Sequence, residues 1–247
     1  MSVALAVVTA GGAVALAVVS TACDSCMSLP DPATPAPLSH SPSATPSGTN
    51  ARLARALLTR FDGARVSVPA RSGTYGALAD VPLPGGAARD ALSGSAPVTP
   101  AGCGAWPASG WTGTARPARA AAATLTVARA GGGTTLLREV LFVPAHRPSG
   151  LTLPARCRAF TVAGGLPARS GRLSAAGVGD AARGVGTLVG RRGAADRVAL
   201  YTIVFRVGRV YGVVRVGGTG PAPGGAAVRR MAHDYAQRAA TRTRGLT

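Results

Sequence analysis

The spacing of apolar residues changes several times along the chain, and each change marks an element. Residues 3–19 (VALAVVTAGGAVALAVV) are apolar or small without a charge, the length of a secretory hydrophobic region and the lower limit of a membrane span. Residues 27–50 (MSLPDPATPAPLSHSPSATPSGTN) have no period and are dominated by Pro, Ser, Thr and Ala, as expected of a partly extended tether. From Ala51 to Arg60 the period is helical. Leu53, Ala56 and Leu57 share a face, Arg52 and Arg55 lie off it, and Asn50 is placed to cap. A short strand is expected at Arg65–Val68 and a helical turn near Ala87–Leu92, followed by irregular chain over 93–117. From Ala123 the period becomes two. Thr124–Val127 and Thr135–Val143 read as a hairpin about Gly131–Gly133, with a loop from Pro144 to Pro154. Arg156–Val162 and Val185–Val189 read as strands, with a loop at Gly164–Gly179. Val198–Val207 and Val210–Val216 form a second hairpin about Gly208-Arg209, expected at the centre of an antiparallel sheet. After a Gly/Pro linker at Gly217–Gly225, a last helix over Ala226–Thr241 turns Val228, Met231, Ala232, Tyr235 and Ala239 inward, with Arg229, Arg230 and Arg238 off that stripe. Helix, sheet, helix predicts an α+β fold, an antiparallel sheet with the N- and C-terminal helices packed on one face.

The first apolar run ends in Ser20-Thr21-Ala22-Cys23. Small residues before a cysteine suit a narrow signal-peptidase cleft, and the run resembles a bacterial lipobox, in which the cysteine is lipidated and becomes the new N-terminus. Ser20 replaces the usual large aliphatic residue, and a basic segment before the run is missing. An uncleaved transmembrane helix and simple secretion are the rival readings, and all three put the body outside the cytoplasm. The expected organisation is a signal peptide over 1–22 ending at Cys23, a tether over 23–50, and one α+β domain over 51–247, long enough to bury a core.

Composition adds two constraints. Aromatics are only 4% of the chain, so the core must be built from Val, Leu and Ala. All 27 basic residues are Arg, and together with abundant Ala, Gly and Pro this is the pattern of a high-GC genome such as an actinobacterial one. Codon supply therefore accounts for part of the Arg excess. Residues 1–50 hold two acids and no Arg, so the rest sets 27 Arg against 7 acids, a net of +20. Such a surface attracts polyanions. For an exported chain these are anionic lipid or wall polymer; nucleic acid is not expected, because the basic–aromatic interleaving that stacks bases is missing.

Four cysteines are present. If Cys23 carries lipid, Cys103 and Cys157 are the natural disulfide in an oxidising compartment, closing a loop worth about 4 kcal/mol in the chain-entropy model. Cys26 is then left over, and the Cys23–Cys26 spacing lacks the structured setting of a redox or metal site. Trp106 and Trp111 lie close after Cys103 in sequence and are expected to pack around the disulfide, with an aromatic patch for sugar or lipid as the sharper reading.

A catalytic constellation is not legible. No nucleophile elbow, phosphate loop, His-Glu-x-x-His or zinc-spaced ligand set occurs, so no catalytic residue, cofactor or metal site is expected. His40 lies in the tether, His146 in a loop, and His233 beside Asp234 on a helix, where consecutive side chains diverge. Gly177–Ala182 and Gly184–Gly190 imitate dinucleotide fingerprints without the strand–helix setting that gives them meaning. Glu139, the sole Glu, sits beside Arg138 in LLREVLFV. Alternation puts the two on opposite faces, each among apolar neighbours. An edge strand or a surface ion pair is the plain reading; a polar group at the mouth of a pocket between sheet and helix is the sharper one.

Taken together, ARLARALLTRF after a Pro/Ser tether, Cys103 near Trp106, RCRAF at Arg156–Phe160, the paired strands VALYTIVFRVGRVYGVVRV and a closing helix resemble the actinobacterial exported sensor-domain lipoproteins, similar to the PknH-like extracellular domain. The resemblance spans most of residues 50–243 and rests on soft patterns. It implies an α+β fold with a disulfide-braced cleft, and binding of an unidentified ligand rather than catalysis. This chain has one body cysteine pair where that family has two, and no kinase domain, so no site residue is transferred. The resulting expectation is a lipid-anchored protein on the extracytoplasmic face of the membrane that binds or senses an apolar or anionic envelope ligand in a concavity between sheet and helices. The alternative is a structural or accessory envelope protein whose Arg-rich surface associates with anionic wall polymer or membrane.

Overall fold

The structure is a computed structural model that describes residues 48–79, 98–101, 103, 115–128, 134–147, 153–162, 165–190, 198–219 and 225–246. The leader, the tether as far as Ser47, both tryptophans, Cys23, Cys26, His40 and the expected turn at Ala87–Leu92 lie outside them. Among the described residues, ten strands form one sheet in which every neighbouring pair is antiparallel.

The elements in chain order are α1 (Gly48–Ala56), β1 (Arg60–Phe61), β2 (Ala64–Thr74), α2 (Tyr75–Ala79), β3 (Val98–Thr99), β4 (Arg119–Ala128) and β5 (Thr134–Val143). After a 3-10 turn at Ala155–Cys157 come β6 (Ala159–Val162), β7 (Leu166–Leu173), β8 (Ala181–Val189), β9 (Val198–Val207), β10 (Val210–Thr219) and α3 (Gly225–Arg244). Spatial order is β1-β2-β4-β5-β10-β9-β8-β7-β6-β3. The two expected hairpins, β4–β5 and β9–β10, are thus joined edge to edge through β5 and β10 and form the middle of the sheet.

The terminal helices share one face, as the helix–sheet–helix pattern predicts. There Leu53 and Ala56 of α1, Leu57, and Val228, Ala232, Tyr235, Ala236 and Ala239 of α3 close over Leu125, Leu137, Leu141, Ile203, Phe205, Val214 and Val216. The second face is covered too. Tyr75 and Leu78 of α2 pack with Ala120, Ala122, Val140, Phe142, Val204, Tyr211 and Val213. Farther along that face Cys103 and Cys157 join Leu136, Phe160, Val162, Val189 and Leu200. Burial on both faces explains why β9 reads as an unbroken apolar run rather than an alternation. Cys103 and Cys157 form the expected disulfide.

Several elements differ from the sequence reading. α1 begins at Gly48, so Asn50 lies within its first turn instead of capping it, and the helix stops at Ala56 because Arg60-Phe61 pairs with Ala64-Arg65 as a strand. β2 runs to Thr74, well beyond Val68, and is mostly exposed, so its apolar signal is weak. Gly164–Gly179 contains β7. Its LPARSGRL buries Ala168 alone; the ladders to β6 and β8 form this strand, not a hydrophobic pattern of its own. β5 is interior, flanked by β4 and β10, which overturns the edge-strand reading of Glu139.

Candidate functional site

Three charged side chains interrupt the apolar centre of the sheet: Arg138 and Glu139 on β5 and Arg215 on β10. All are buried. Strand alternation sends Glu139 beneath the helices and both arginines to the opposite face.

On the arginine face, Arg138 stands directly opposite Arg215. Thr124 of β4 pairs with Arg138, and Thr202 of β9 pairs with Arg215. Four adjacent strands therefore carry hydroxyl, guanidinium, guanidinium, hydroxyl in one row, with neighbouring Cβ atoms about 5 Å apart. Arg138 Nη2 donates to the carbonyl of Leu78 on α2. Tyr75 of α2 packs on Phe142 with ring centroids 4.2 Å apart, and Phe142 stacks on Tyr211 at 5.7 Å. Between this aromatic wall and the row lies a pocket lined by Tyr75, Arg138, Val140, Val213 and Arg215. It holds about 210 Å³ of atom-free space, open solvent included, with room inside for about one water. Like charges opposite each other in a sheet are unfavourable, and desolvating each guanidinium costs several kcal/mol. Guanidinium forks match carboxylate and phosphate oxygens, but the surface facing this pocket is almost wholly apolar, so an anion would reach the two arginines by exchanging their present partners.

On the helix face, Glu139 is fully buried. Its Oε2 accepts from the backbone N–H of Leu58, just past α1, at 3.0 Å and from the Tyr235 hydroxyl of α3 at 3.2 Å. Oε1 has no hydrogen-bond partner among the described residues. Desolvation raises the carboxyl to about 7, against smaller opposing effects of the Leu58 N–H, the Tyr235 hydroxyl and the Arg242 charge. Burial, then the neighbouring Glu139, pushes the Tyr235 phenol up. Around the pair, Phe61 meets Tyr235 edge-on at 5.0 Å, and the Arg238 guanidinium lies 5.0 Å over the Phe61 ring. Arg242 donates from Nε and Nη2 to the carbonyl of Arg55 on α1 at 3.3 and 3.0 Å. Among the described residues these side chains pack into the sheet–helix layer that was expected to hold a ligand; the pocket described above lies on the other face.

The remaining candidates are dispersed. His146 is exposed after β5. His233 Nε2 lies 3.0 Å from the Ala176 carbonyl, and its Nδ1 is 3.8 Å from Asp234, so it ties α3 to a turn. Gly177 and Gly179 take positive φ in that turn, and Gly184–Val189 belongs to β8, so neither glycine run opens a helix. No group of three or more His, Cys, Asp and Glu placed to hold a metal occurs among the described residues, and no described helix is long and apolar enough to cross a membrane. The sequence reading did not single out Arg215 or Tyr75. The signal for Arg215 was available: a charge inside VYGVVRV, of the same kind that marked Arg138 and Glu139.

No protein-family model matches the chain, and no curated protein matches it. Among solved structures, the crystal structure of an uncharacterised Mycobacterium smegmatis protein, the Rv0999 ortholog, is similar at 15% identity with a TM-score of 0.42, covering 78% of this chain and 96% of that one.

Proposed function

We propose that this protein is a membrane-tethered extracytoplasmic lipoprotein, of the PknH-like sensor-domain kind, that binds a small anionic envelope ligand at the Arg138–Arg215 pocket. The observation that carries the reading is the Thr124–Arg138–Arg215–Thr202 row, two buried guanidiniums side by side at a pocket wall with flanking hydroxyls. Charge-assisted hydrogen bonds from such forks are strong and directional. Export is supported by the leader, by Cys23 in its lipobox-like setting, and by the Cys103–Cys157 disulfide, a bond typical of oxidising compartments. The role is binding rather than catalysis.

A second reading is favoured by the surface. Nineteen arginines of the described residues, from Arg52 on α1 to Arg244 on α3, are exposed, which suits association with anionic wall polymer or membrane. Salt separates the two. We expect inorganic phosphate and glycerol phosphate, but not glycerol, to bind the full chain in calorimetry. Binding is expected to weaken more than tenfold in Arg215→Gln and to change little between 0.05 and 0.5 M salt, because buried pairs are poorly screened. Attachment to anionic vesicles that collapses with salt and is indifferent to Arg215→Gln favours the surface reading. For the anchor, mass spectrometry of the membrane-extracted wild-type chain is expected to show a lipid-modified Cys23 as the new N-terminus; an intact leader with an unmodified Cys23 favours an uncleaved helix.

A further inference from the structure

We infer that Glu139 is a proton-operated clasp that holds α1, the helix through which the tether enters the folded body, tightly in acid and loosely at neutral pH. This inference is independent of the pocket, which lies on the opposite face.

Glu139 reaches from the central strand to two different elements through one oxygen. Its Oε2 takes the Leu58 N–H, at the point where the chain leaves α1, and the Tyr235 hydroxyl of α3. The other oxygen has no hydrogen-bond partner among the described residues. The neutral carboxyl is favoured here by burial: it brings no charge into the interior, one oxygen still accepts both bonds, and the cost is one unpaired O–H on the other. Once ionised, it is a buried charge with half of its acceptor capacity unused, and burial penalises that form heavily. Opening the α1–Leu58 segment is the route that exposes the carboxylate, because this segment forms one wall of the cradle.

The groups facing Glu139 are few. α3 supplies Tyr235 by hydrogen bond and Arg242 through its charge. Arg238 of α3 is engaged over Phe61. α1 and its exit supply a backbone N–H, with Arg52 and Arg55 exposed. The strands on either side place Ala123 and Val214 opposite Glu139. Arg242 holds the Arg55 carbonyl as well, so α1 keeps a second attachment when the Glu139 attachment loosens.

The sign follows from linkage. The carboxyl is near 7 when enclosed and 4.5 when free. The closed form therefore binds the proton more tightly, and its advantage is complete below 4.5 and lost as pH rises through 7. Between these values the opening equilibrium should rise about tenfold per pH unit, and it should level off above 7.

Glu139 is the single Glu of the chain, so the full-length protein labelled with [δ-13C]glutamate gives one Glu carboxyl resonance. We expect its midpoint near 7. Hydrogen exchange of the Leu53–Leu58 amides, corrected for intrinsic rate, should lose protection about tenfold per unit from pH 5 to 7 and then level off. Glu139→Gln, isosteric with the neutral form, should keep α1 protected at every pH. Tyr235→Phe removes one donor to the carboxylate and should move the midpoint upward. A midpoint near 4.5, or a wild-type protection profile that Glu139→Gln reproduces, overturns the clasp.

Discussion

Gly212 on β10 stands opposite Phe205 on β9, and a Cβ there would lie 2.1 Å from the ring carbon Cζ. The aromatic ring occupies the space a side chain would need, so the glycine is required by packing. Gly212→Ala should destabilise by about 1–3 kcal/mol or more, the usual cost of overfilling a core. Urea denaturation measures it, and adding Phe205→Leu should restore part of the loss. Glu139 and Tyr235 show the opposite situation, a polar pair kept where apolar packing would serve. Tyr235→Phe should cost about 1–2 kcal/mol through the lost bond to a buried acceptor. The loss should be larger at pH 8 than at pH 5, since the ionised carboxylate depends more on its donors. At the same scale, replacing the carboxyl by Gln should remove a destabilisation on the order of 3 kcal/mol at neutral pH, from the difference between 4.5 and about 7. Denaturant titrations of both proteins at pH 5 and 7.5 check it: the wild type should lose stability relative to Glu139→Gln as pH rises.

Among elements, the joined hairpins β4–β5 and β10–β9 carry the core, and the outer strands depend on their neighbours. β7 buries one small side chain, and β6 has four residues. What anchors that end is the Cys103–Cys157 link, with its 54-residue separation, beside Phe160, Val162 and Leu200. Cys103→Ser with Cys157→Ser should lower stability by about 4 kcal/mol. The loss should appear first as faster amide exchange in β6 and β7, while α3 on the other face keeps its wild-type protection. Uniform loosening of the whole sheet would count against this division. α3 illustrates a legible element. Its inward stripe of Val228, Met231, Ala232, Tyr235 and Ala239 was readable from spacing; Met231 is half-buried against the core and the other four are buried.

At the scale of the whole molecule, the chain has a net charge of +18, and nineteen arginines of the described residues are exposed. The central sheet meanwhile holds two arginines on one face and one glutamate on the other. These populations should respond differently to salt. Sedimentation with anionic vesicles should fall steeply between 0.05 and 0.5 M salt as surface charge is screened over a few ångströms. Phosphate binding at the Arg138–Arg215 pocket should change little over the same range.

The sequence by itself determined the fold class, the two hairpins, the two terminal helices and the disulfide pairing that follows once Cys23 is set aside. Each of these is written in local periodicity or in cysteine arithmetic, which need no knowledge of distant neighbours. It also marked Glu139 and Arg138 as charges out of place. Only the tertiary structure decided what those charges do. Joining β5 to β10 puts Arg138 against Arg215, 77 positions apart in sequence. Folding α1 and α3 over β5 brings Leu58 and Tyr235 to one oxygen of Glu139. The covering of the second face by α2 and the disulfide region was equally invisible, because a strand's pattern reports that a face is buried and never by what. Periodicity is a property of neighbours along the chain. Sites made by long-range pairing depend on register and strand order, which chain-local patterns leave open.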